Sequence, residues 1–430
     1  MNERKTALEC LLDITGKKLF ASFVLESKFE SMPVYDKRSR AFITRLVEGT
    51  LERMIFIDYC INGVSKTATV DMDSKVLAIL RLGTYQIYFM DKVPDHSAVN
   101  ESVKLAKDIK KRGVSSFVNG VLREICRKKG REKLPNEKKN PAGYISVKYS
   151  FPKWMVKSLI RYLGRENTEK MLEAQLAEKP VSLRVNTLKI SADELTKRLD
   201  IPLKSSTIAP DVLICDNAGG LIDTTEFKEG LFYIQDVSSA ASSMYYDIKN
   251  EKSILDVCAS PGGKSICAYL IAEGRAKITA RDVSGEKTAR IDENIKRLSL
   301  TGIQTQVWDA RVYNPKDEEK YDLVIADLPC SGLGVMGRKT DIKYHITKDG
   351  IDELCKLQRE ILGTVYRYVK PGGTLVYSTC TVTKEENTDN ARWIEENLPL
   401  KKEAEKQFVP GESEEYCDGF YVARFRKIYG

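Results

Sequence analysis

Histidine is scarce in this sequence, and its cysteines lack the spacing of a metal-binding site. The 430 residues include two histidines, and none of the ten cysteines forms a Cys-x-x-Cys pair. Structural zinc sites are usually built from such ligands, so we expect no metal. Scattered cysteines favour a reducing compartment over a disulfide framework, and we therefore expect a cytoplasmic protein.

Long hydrophobic runs are also missing. No apolar stretch approaches the ~18 residues that a membrane-spanning helix needs. The N-terminal stretch MNERKTALECLLDITGKKLF has the pattern of an amphipathic helix rather than that of a signal peptide. A hydrophobic fraction of 42% and a charged fraction of 30% are typical of soluble globular proteins. We predict a soluble protein without a membrane partner, and we expect a monomer because nothing in the sequence requires a second copy.

The net charge of +8 is distributed unevenly along the chain. Residues 1–150 hold 28 lysines and arginines against 18 acids, whereas the remainder holds 41 against 43. Most of the excess lies between Lys104 and Lys148. Clustered positive charge occurs on solvated helical faces and on surfaces that bind nucleic-acid phosphates. A basic half beside a nearly neutral half favours nucleic-acid binding.

Hydrophobic periodicity divides the chain into three regions. Residues 1–140 predict helices, for example in SRAFITRLVEGTLERMIFIDYCI, where apolar residues recur at three-and-four spacing. Residues 145–235 predict a small α+β module with a strand in VSLRVNTLKI and a helix that Ser191 and Glu194 open as a capping box. Residues 236–430 alternate between strands and helices, which is typical of a parallel sheet with crossover helices.

The strands of the third region can be placed individually. Five are predicted, in the segments SILDV, AKITARDVS, IQTQVWDA, YDLVIADLP and GTLVYSTC. The segment GFYVARFRK can close the sheet as an antiparallel strand. Before the fifth strand, the helix IDELCKLQREILGTVYRYV is predicted to end at the stop signal Pro371-Gly372-Gly373.

A glycine-rich turn, DVCASPGGKS, follows the first of these strands. A strand, a turn and a helix in this order direct backbone N–H groups towards an anionic ligand. The turn lacks the dinucleotide fingerprint G-x-G-x-x-G. It also differs from a phosphate-binding loop, because Cys258 replaces the leading glycine and its Cβ obstructs a tight wrap around phosphate.

Acidic residues at the ends of the next strands favour an adenosyl cofactor. Asp282 lies 19 residues after Gly263, close to the ~20 expected for a carboxylate that binds ribose hydroxyls. Asp309 ends the following strand and could accept from an adenine amine. These carboxylates suit S-adenosylmethionine. The alternative is a magnesium-dependent triphosphatase that uses residues 263–265 with Asp327.

Two cysteines stand at the ends of the fourth and fifth strands, Cys330 in DLPC and Cys380 in STCT. Neighbouring strands lie about 4.8 Å apart, so both thiols could reach one substrate ring. Carbon 5 of a pyrimidine becomes nucleophilic when a thiolate adds to carbon 6. The site must then favour the thiolate, and Asp327 could hold the cytosine edge. The residues alone leave open which cysteine attacks.

The segments DVCASPGGKS, DLPCSGLGV and YSTCT together resemble the RNA cytosine-5 methyltransferase family of the Sun type. The helical region resembles a NusB-like RNA-binding domain in HSAVNESVKLAK and SSFVNGVLREI. The resemblance implies an α/β, Rossmann-like class I S-adenosylmethionine methyltransferase domain, preceded by an all-α NusB-like domain and the small α+β module. It also implies that the substrate is a cytosine of 16S rRNA, the small-subunit rRNA, either naked or in an assembly intermediate.

The resemblance also implies roles for individual residues. Cys380 is the implied nucleophile, and Cys330 assists release of the methylated product. The implied cofactor contacts are Cys258, Ala259, Ser260, Pro261, Gly262, Gly263, Lys264, Asp282, Asp309 and Asp327.

One segment does not match the family pattern, and one alternative to the methyltransferase function remains. GRKTDIKYHIT departs from the family pattern RHPDIKW at Lys339, Thr340 and Tyr344. The remaining alternative is a non-catalytic, antiterminator-like RNA-binding protein, in which residues 1–140 would carry all the activity.

Overall fold

The structure is a computed structural model that describes residues 2–31, 35–109, 111–216, 219–248 and 252–429. The chain forms two compact units. The first comprises residues 1–169 and 338–345, and the second comprises residues 170–337 and 346–430. No helix within the described ranges has the length and apolar character needed to cross a membrane.

The first unit is built from helices, as predicted for residues 1–140, and it also includes helices from the segment after residue 140. They are α1 (Glu3–Lys17), α2 (Ala21–Ser31), α3 (Lys37–Asn62), α4 (Ser74–Phe89), α5 (Asp95–Lys107), α6 (Val114–Lys128), α7 (Pro141–Tyr149), α8 (Lys153–Leu163) and the start of α9 (Arg165–Leu176). Aspartates open the two helices at its centre: Asp36 accepts from the Ser39 N–H at α3, and Asp73 caps α4. Their apolar faces meet in one core that includes Leu46 and Ile79.

The second unit begins with a four-stranded antiparallel sheet in the order β2-β3-β1-β4. Its strands are β1 (Val181–Val185), β2 (Lys204–Ser205), β3 (Val212–Cys215) and β4 (Phe232–Ile234), with helices α10 (Ala192–Leu199), α11 (Thr225–Lys228) and α12 (Val237–Ala241). The predicted capping box of Ser191 and Glu194 opens α10. The sequence predicts only β1, because the other strands span two to four residues and are too short to show alternation.

A seven-stranded sheet follows, in the order β10-β11-β9-β8-β5-β6-β7. Its strands are β5 (Ser253–Asp256), β6 (Lys277–Asp282), β7 (Ile303–Val307), β8 (Tyr321–Asp327), β9 (Val369–Thr379), β10 (Leu400–Phe408) and β11 (Phe420–Lys427). The accompanying helices are α13 (Gly263–Ile271), α14 (Gly285–Leu298), α16 (Lys348–Val365) and α17 (Thr388–Asn397), and α15 (Ile342–His345) belongs to the first unit. Strands β5 to β9 pair in parallel, and β11 is antiparallel to β9, which confirms the Rossmann-like prediction.

Alternate residues of the central strands point to opposite faces of this sheet. Ile254 and Ile325 pack in one apolar cluster, whereas their neighbours Leu255 and Val324 pack in the other. Both faces are therefore covered, as is usual for parallel strands. This arrangement fixes where the carboxyl ends of the strands lie.

Two local predictions for this sheet fail. Helix α16 ends at Val365 rather than at Pro371-Gly372-Gly373, which lies inside β9. A register shift between β8 and β9 accommodates these three residues, and proline and glycine are usual at such irregularities. Strand β10 escapes prediction because its sequence LKKEAEKQF belongs to a charged edge strand.

Residues 338–345, part of the segment that departs from the family pattern, are anchored inside the first unit. The Asp341 carboxylate accepts from the backbone N–H of Ala21 at 2.7 Å. The buried Lys343 ammonium donates to the carbonyls of Glu52 and Ser150, both at 2.7 Å. Burial lowers the pKa of Lys343 to about 7. The acid and the lysine therefore serve internal contacts of the helical unit.

Candidate active site

A cavity of about 450 Å³ opens beyond the carboxyl ends of β5, β6 and β8. In open α/β sheets this edge is where ligands bind. Seven of the predicted site residues line it: Cys258, Ser260, Asp282, Asp309, Asp327, Cys330 and Cys380. In the part of the chain that the structure describes, no three His, Cys, Asp or Glu side chains are grouped as metal ligands.

The glycine-rich turn joins β5 to α13. Only some of its residues that are predicted to contact the cofactor face the cavity. Gly262 precedes α13 with a φ of 101°, a conformation that favours glycine, and a Cβ there would lie 3.0 Å from Ile291. Ala259 is buried in the core, and the Pro261 carbonyl accepts from Asn294. The Gly263 carbonyl accepts from a tyrosine hydroxyl at 3.5 Å. These four residues shape the turn, whereas Cys258 and Ser260 face the cavity.

Asp282 connects the end of β6 to this turn. One carboxylate oxygen accepts from the Ser260 N–H at 3.0 Å, and the other accepts from the Val283 N–H at 2.8 Å. Lys287 lies 3.1 Å from the second oxygen. The acid is buried but lines the cavity, at the position the sequence predicts.

Asp309 lies at the cavity with its carboxylate already engaged. The Arg311 guanidinium donates to both oxygens, at distances from 2.6 to 3.1 Å. These hydrogen bonds lower the pKa of Asp309. Trp308 and Arg311 also line the cavity, and the sequence reading missed both. The only signal for them was their position beside the predicted acid.

Lys264 and Asp327 form an ion pair at the base of the site. The Lys264 ammonium lies 2.6 Å from one Asp327 oxygen, and the Ser378 hydroxyl donates to the other at 2.7 Å. Burial opposes the charge on Lys264, but attraction to Asp327, Asp256 and Cys380 raises its pKa. The ammonium is therefore a fixed positive charge close to Cys380.

The two strand-end cysteines are in contact. The sulfurs of Cys330 and Cys380 lie 3.3 Å apart, because Asp327 of β8 pairs directly with Ser378 of β9 and each cysteine follows its strand closely. The pKa of Cys330 is raised by its hydrogen bond with Cys380, by burial and by the charge of Glu386. The raised pKa favours Cys330 as a neutral thiol in contact with Cys380.

Glu386 links the loops that carry these cysteines, and the sequence reading missed it. Its fully buried carboxylate accepts from the Ser331 N–H at 2.8 Å, from the Ser331 hydroxyl at 2.5 Å and from the Thr383 hydroxyl at 2.7 Å. The Gln358 amide donates to it at 3.1 Å. An acid in the sequence KEEN has the pattern of a solvated turn, so no local signal identifies it.

Close backbone contact also joins the cysteine loops. The Gly334 N–H donates to the Cys380 carbonyl at 3.1 Å, and the Gly419 N–H donates to the Gly334 carbonyl at 2.9 Å. A Cβ at Gly334 would lie 1.9 Å from the Gly419 carbonyl oxygen. Only glycine fits at this crossing without movement of the backbone.

Comparison with known proteins gives matches along nearly the whole chain. Three family models match it in order: the NusB family over residues 1–127, an RsmF/B-like ferredoxin-like domain over 151–220, and 16S rRNA methyltransferase RsmB/F over 243–426. The chain is 33% identical to the probable ribosomal RNA small subunit methyltransferase B of Bacillus subtilis, covering 99% of this chain and 98% of that protein. It is 30% identical to the ribosomal RNA small subunit methyltransferase B of Shewanella oneidensis, covering 99% of each. The crystal structure of the protein PH0851 superposes with a TM-score of 0.79 at 25% identity, covering 99% of both chains.

Proposed function

Because the chain belongs to the RsmB/F family of small-subunit ribosomal RNA methyltransferases, we propose that it transfers a methyl group from S-adenosylmethionine to carbon 5 of a cytosine in 16S rRNA. The reaction passes through a covalent bond between Cys380 and carbon 6 of the ring. The observation that supports this chemistry is the 3.3 Å contact between the sulfurs of Cys330 and Cys380 at the cavity. Methylation of an exocyclic amine would need neither thiol.

The cavity fits an adenosyl cofactor in size and in chemistry. Its volume of about 450 Å³ lies within the roughly 300–1,000 Å³ that is usual for small-molecule sites. Asp282 stands where a ribose-binding carboxylate is expected, and Cys258 and Ser260 line the wall beside it. Trp308 offers an apolar surface close to Asp309. When bound, S-adenosylmethionine supplies an electrophilic methyl group.

Electrostatics favour Cys380 as the nucleophile. The pKa of Cys330 is raised, so the negative charge of a single thiolate in this contacting pair is best placed on Cys380. The Lys264 ammonium attracts that charge. After methyl transfer, a base removes the proton from carbon 5 while the bond between carbon 6 and the Cys380 sulfur breaks, which restores the ring. Cys330 lies 3.3 Å from that sulfur and is positioned to assist this release.

Asp327 is the residue that positions the base. Its two oxygens are oriented by Lys264 and Ser378, and the carboxylate lines the same cavity as both cysteines. A cytosine whose carbon 6 meets Cys380 would present its amino edge to this carboxylate. Such a base must be unpaired or flipped out of its helix, since both ring faces take part.

The ion pair also separates this function from a triphosphatase. A phosphate-binding loop uses its lysine on the phosphates and its strand-end aspartate on magnesium. Here Cys258 replaces the leading glycine of such a loop and lines the cavity, and Lys264 is paired with Asp327. A non-catalytic RNA-binding protein would have no use for the two contacting cysteines or for the hydrogen bonds that Glu386 accepts from their loops.

The test is transfer of a labelled methyl group to unmodified small-subunit rRNA, followed by mapping of the modified base. Cys380→Ala should abolish transfer, and Cys330→Ala should accumulate a covalent protein–RNA adduct that survives denaturing electrophoresis. Cys126→Ala, in the helical unit, is the matched control and should behave as the unaltered protein does. Normal turnover by Cys380→Ala would refute the assignment, and a label on a base nitrogen would refute the chemistry. Comparison of methyl-transfer rates on naked rRNA and on assembly intermediates of the small subunit identifies which of the two is the substrate.

A further inference from the structure

The helical unit contains a second cavity, of about 500 Å³, between the end of α3, α4 and the end of α6. All of its lining residues belong to the first unit. They are Tyr59, Cys60, Asn62, Gly63, Val64, Tyr88, Ile125, Lys128, Arg131, Glu132 and Lys133. We refer to it as the helical-unit pocket.

The walls of this pocket are largely aromatic and aliphatic. Val64 and Ile125 contribute aliphatic surface, and two tyrosine side chains contribute rings. Hydrogen bonds fix both rings: the Tyr59 hydroxyl donates to the Lys133 carbonyl at 2.5 Å, and the Tyr88 hydroxyl donates to the Glu132 carboxylate. The pocket is thus a preformed apolar space with fixed aromatic side chains.

The mouth of the pocket is positively charged. Lys128, Arg131 and Lys133 are exposed, and none of them forms an ion pair with a carboxylate within the described residues. Glu132 is the one acid among the lining residues, and it accepts from the Tyr88 hydroxyl and from the Gly130 N–H. Three cations therefore surround an apolar space whose single carboxylate is already engaged.

We propose that the helical-unit pocket binds one unpaired nucleotide of the RNA substrate, at a position other than the methylated cytosine. The base occupies the apolar space beside Tyr59 and Tyr88, and the flanking phosphates contact Lys128, Arg131 and Lys133. Proteins commonly bind single-stranded RNA with aromatic side chains that contact the bases and with cations that contact the phosphates. The proposal rests on the proposed function only in taking RNA as the ligand. It adds a defined contact point to the basic helical region.

Fluorescence anisotropy with a labelled single-stranded RNA dodecamer and the full chain tests this proposal. The double variant Arg131→Glu/Lys133→Glu should weaken binding at least tenfold and reduce the slope of log affinity against log salt by about 2. Val64→Phe, which fills the apolar space without changing charge, should weaken binding about fivefold. The matched control is Lys5→Glu/Lys18→Glu, which reverses two charges at exposed lysines that lie outside both the pocket and the basic stretch from Lys104 to Lys148, and it should cost no more than about twofold.

Equal affinities for the pocket double variant and the control would overturn the proposal, as would unchanged binding by a folded Val64→Phe. Displacement of the RNA by polyglutamate at the same charge concentration would also overturn it, because it would indicate a surface that binds any polyanion. The methyl-transfer assay separates this result from the proposed function. In methyl-transfer rates measured over a range of rRNA concentrations, the pocket variants should keep kcat and raise KM. A chain that transfers no methyl group yet shows the predicted binding pattern would refute the proposed function and support the pocket.

Discussion

Replacement of Glu386 by alanine removes the acceptor shared by four donors between the cysteine loops. Ser331 supplies two of them, its N–H and its hydroxyl, and Thr383 and Gln358 supply the others. Two donors have other acceptors nearby: the Ser331 hydroxyl contacts Thr381, and the Gln358 amide also donates to Pro329. The Ser331 N–H and the Thr383 hydroxyl would lose the Glu386 carboxylate as their acceptor.

An unsatisfied buried donor costs about 1–3 kcal/mol, and hydrogen bonds to a charged group contribute about 1.5–3 kcal/mol each. With two donors left without Glu386, we expect the Glu386→Ala variant to lose about 3–4 kcal/mol of unfolding free energy. Glu386→Gln keeps the shape and one carbonyl oxygen, and its amide can donate to the two hydroxyls. We expect that variant to lose only about 1 kcal/mol.

The assay is urea unfolding followed by tryptophan fluorescence in a Trp154→Phe background. The sequence has three tryptophans, so this change leaves Trp308 and Trp393, which both belong to the second unit. The signal then reports the unit that contains Glu386. Initial rates of methyl transfer for Glu386→Gln against pH provide a second readout. The charge of Glu386 helps to raise the pKa of Cys330, so its removal should move the profile to lower pH.

Equal unfolding free energies for the alanine variant and the unaltered protein would refute the hydrogen-bond reasoning. A glutamine variant as unstable as the alanine variant would show that the negative charge, rather than the number of acceptors, holds the loops. An unchanged pH profile would show that Glu386 has only a structural role.

Two further predictions concern the neighbouring backbone and a buried acid. Gly334→Ala should cost about 1–3 kcal/mol and slow methyl transfer, because its Cβ would meet the Gly419 and Cys380 carbonyl oxygens. The matched control is Gly363→Ala, in α16, where the added atom meets open space. It should leave thermal stability and turnover at or above those of the unaltered protein. A similar loss in both variants would contradict the steric explanation. Burial raises the pKa of Asp256 to about 7, so the acid is protonated in the folded state where it would ionise in the unfolded chain. Stability is therefore lost as pH rises from about 4 to about 7, and the unfolding free energy of Asp256→Asn relative to the unaltered protein should increase between about pH 5 and pH 8. A difference that stays constant with pH would contradict this.

The order of elements around the cavity at the strand ends could be predicted because each element depends on local sequence. A buried strand, a glycine turn and a helix follow one another at residues 253–271, as the segment SILDV and the turn after it predict. Parallel pairing then brings strand ends together, so the proximity of Cys330 and Cys380 follows from topology alone. The roles assigned to these cysteines remain predictions for the experiments above.

The features that escaped prediction depend on contacts between distant parts of the chain. Glu386 has the sequence surroundings of a surface acid, and only the fold shows that it is buried against Ser331. The same holds for Lys343, a cation whose burial no local pattern indicates. Arg311 occupies the oxygens of Asp309, which sequence reasoning treats as available to adenine.

The placement of residues 338–345 in the helical unit has a practical consequence for dissection of the protein. A fragment that stops near residue 169 lacks residues 338–345, whose Asp341 and Lys343 form hydrogen bonds with Ala21 and Ser150. Truncation would thus expose a slot in the remaining helices. The first unit is not contiguous in sequence. An exchange of this unit between relatives must therefore transfer residues 1–169 and residues 338–345 together.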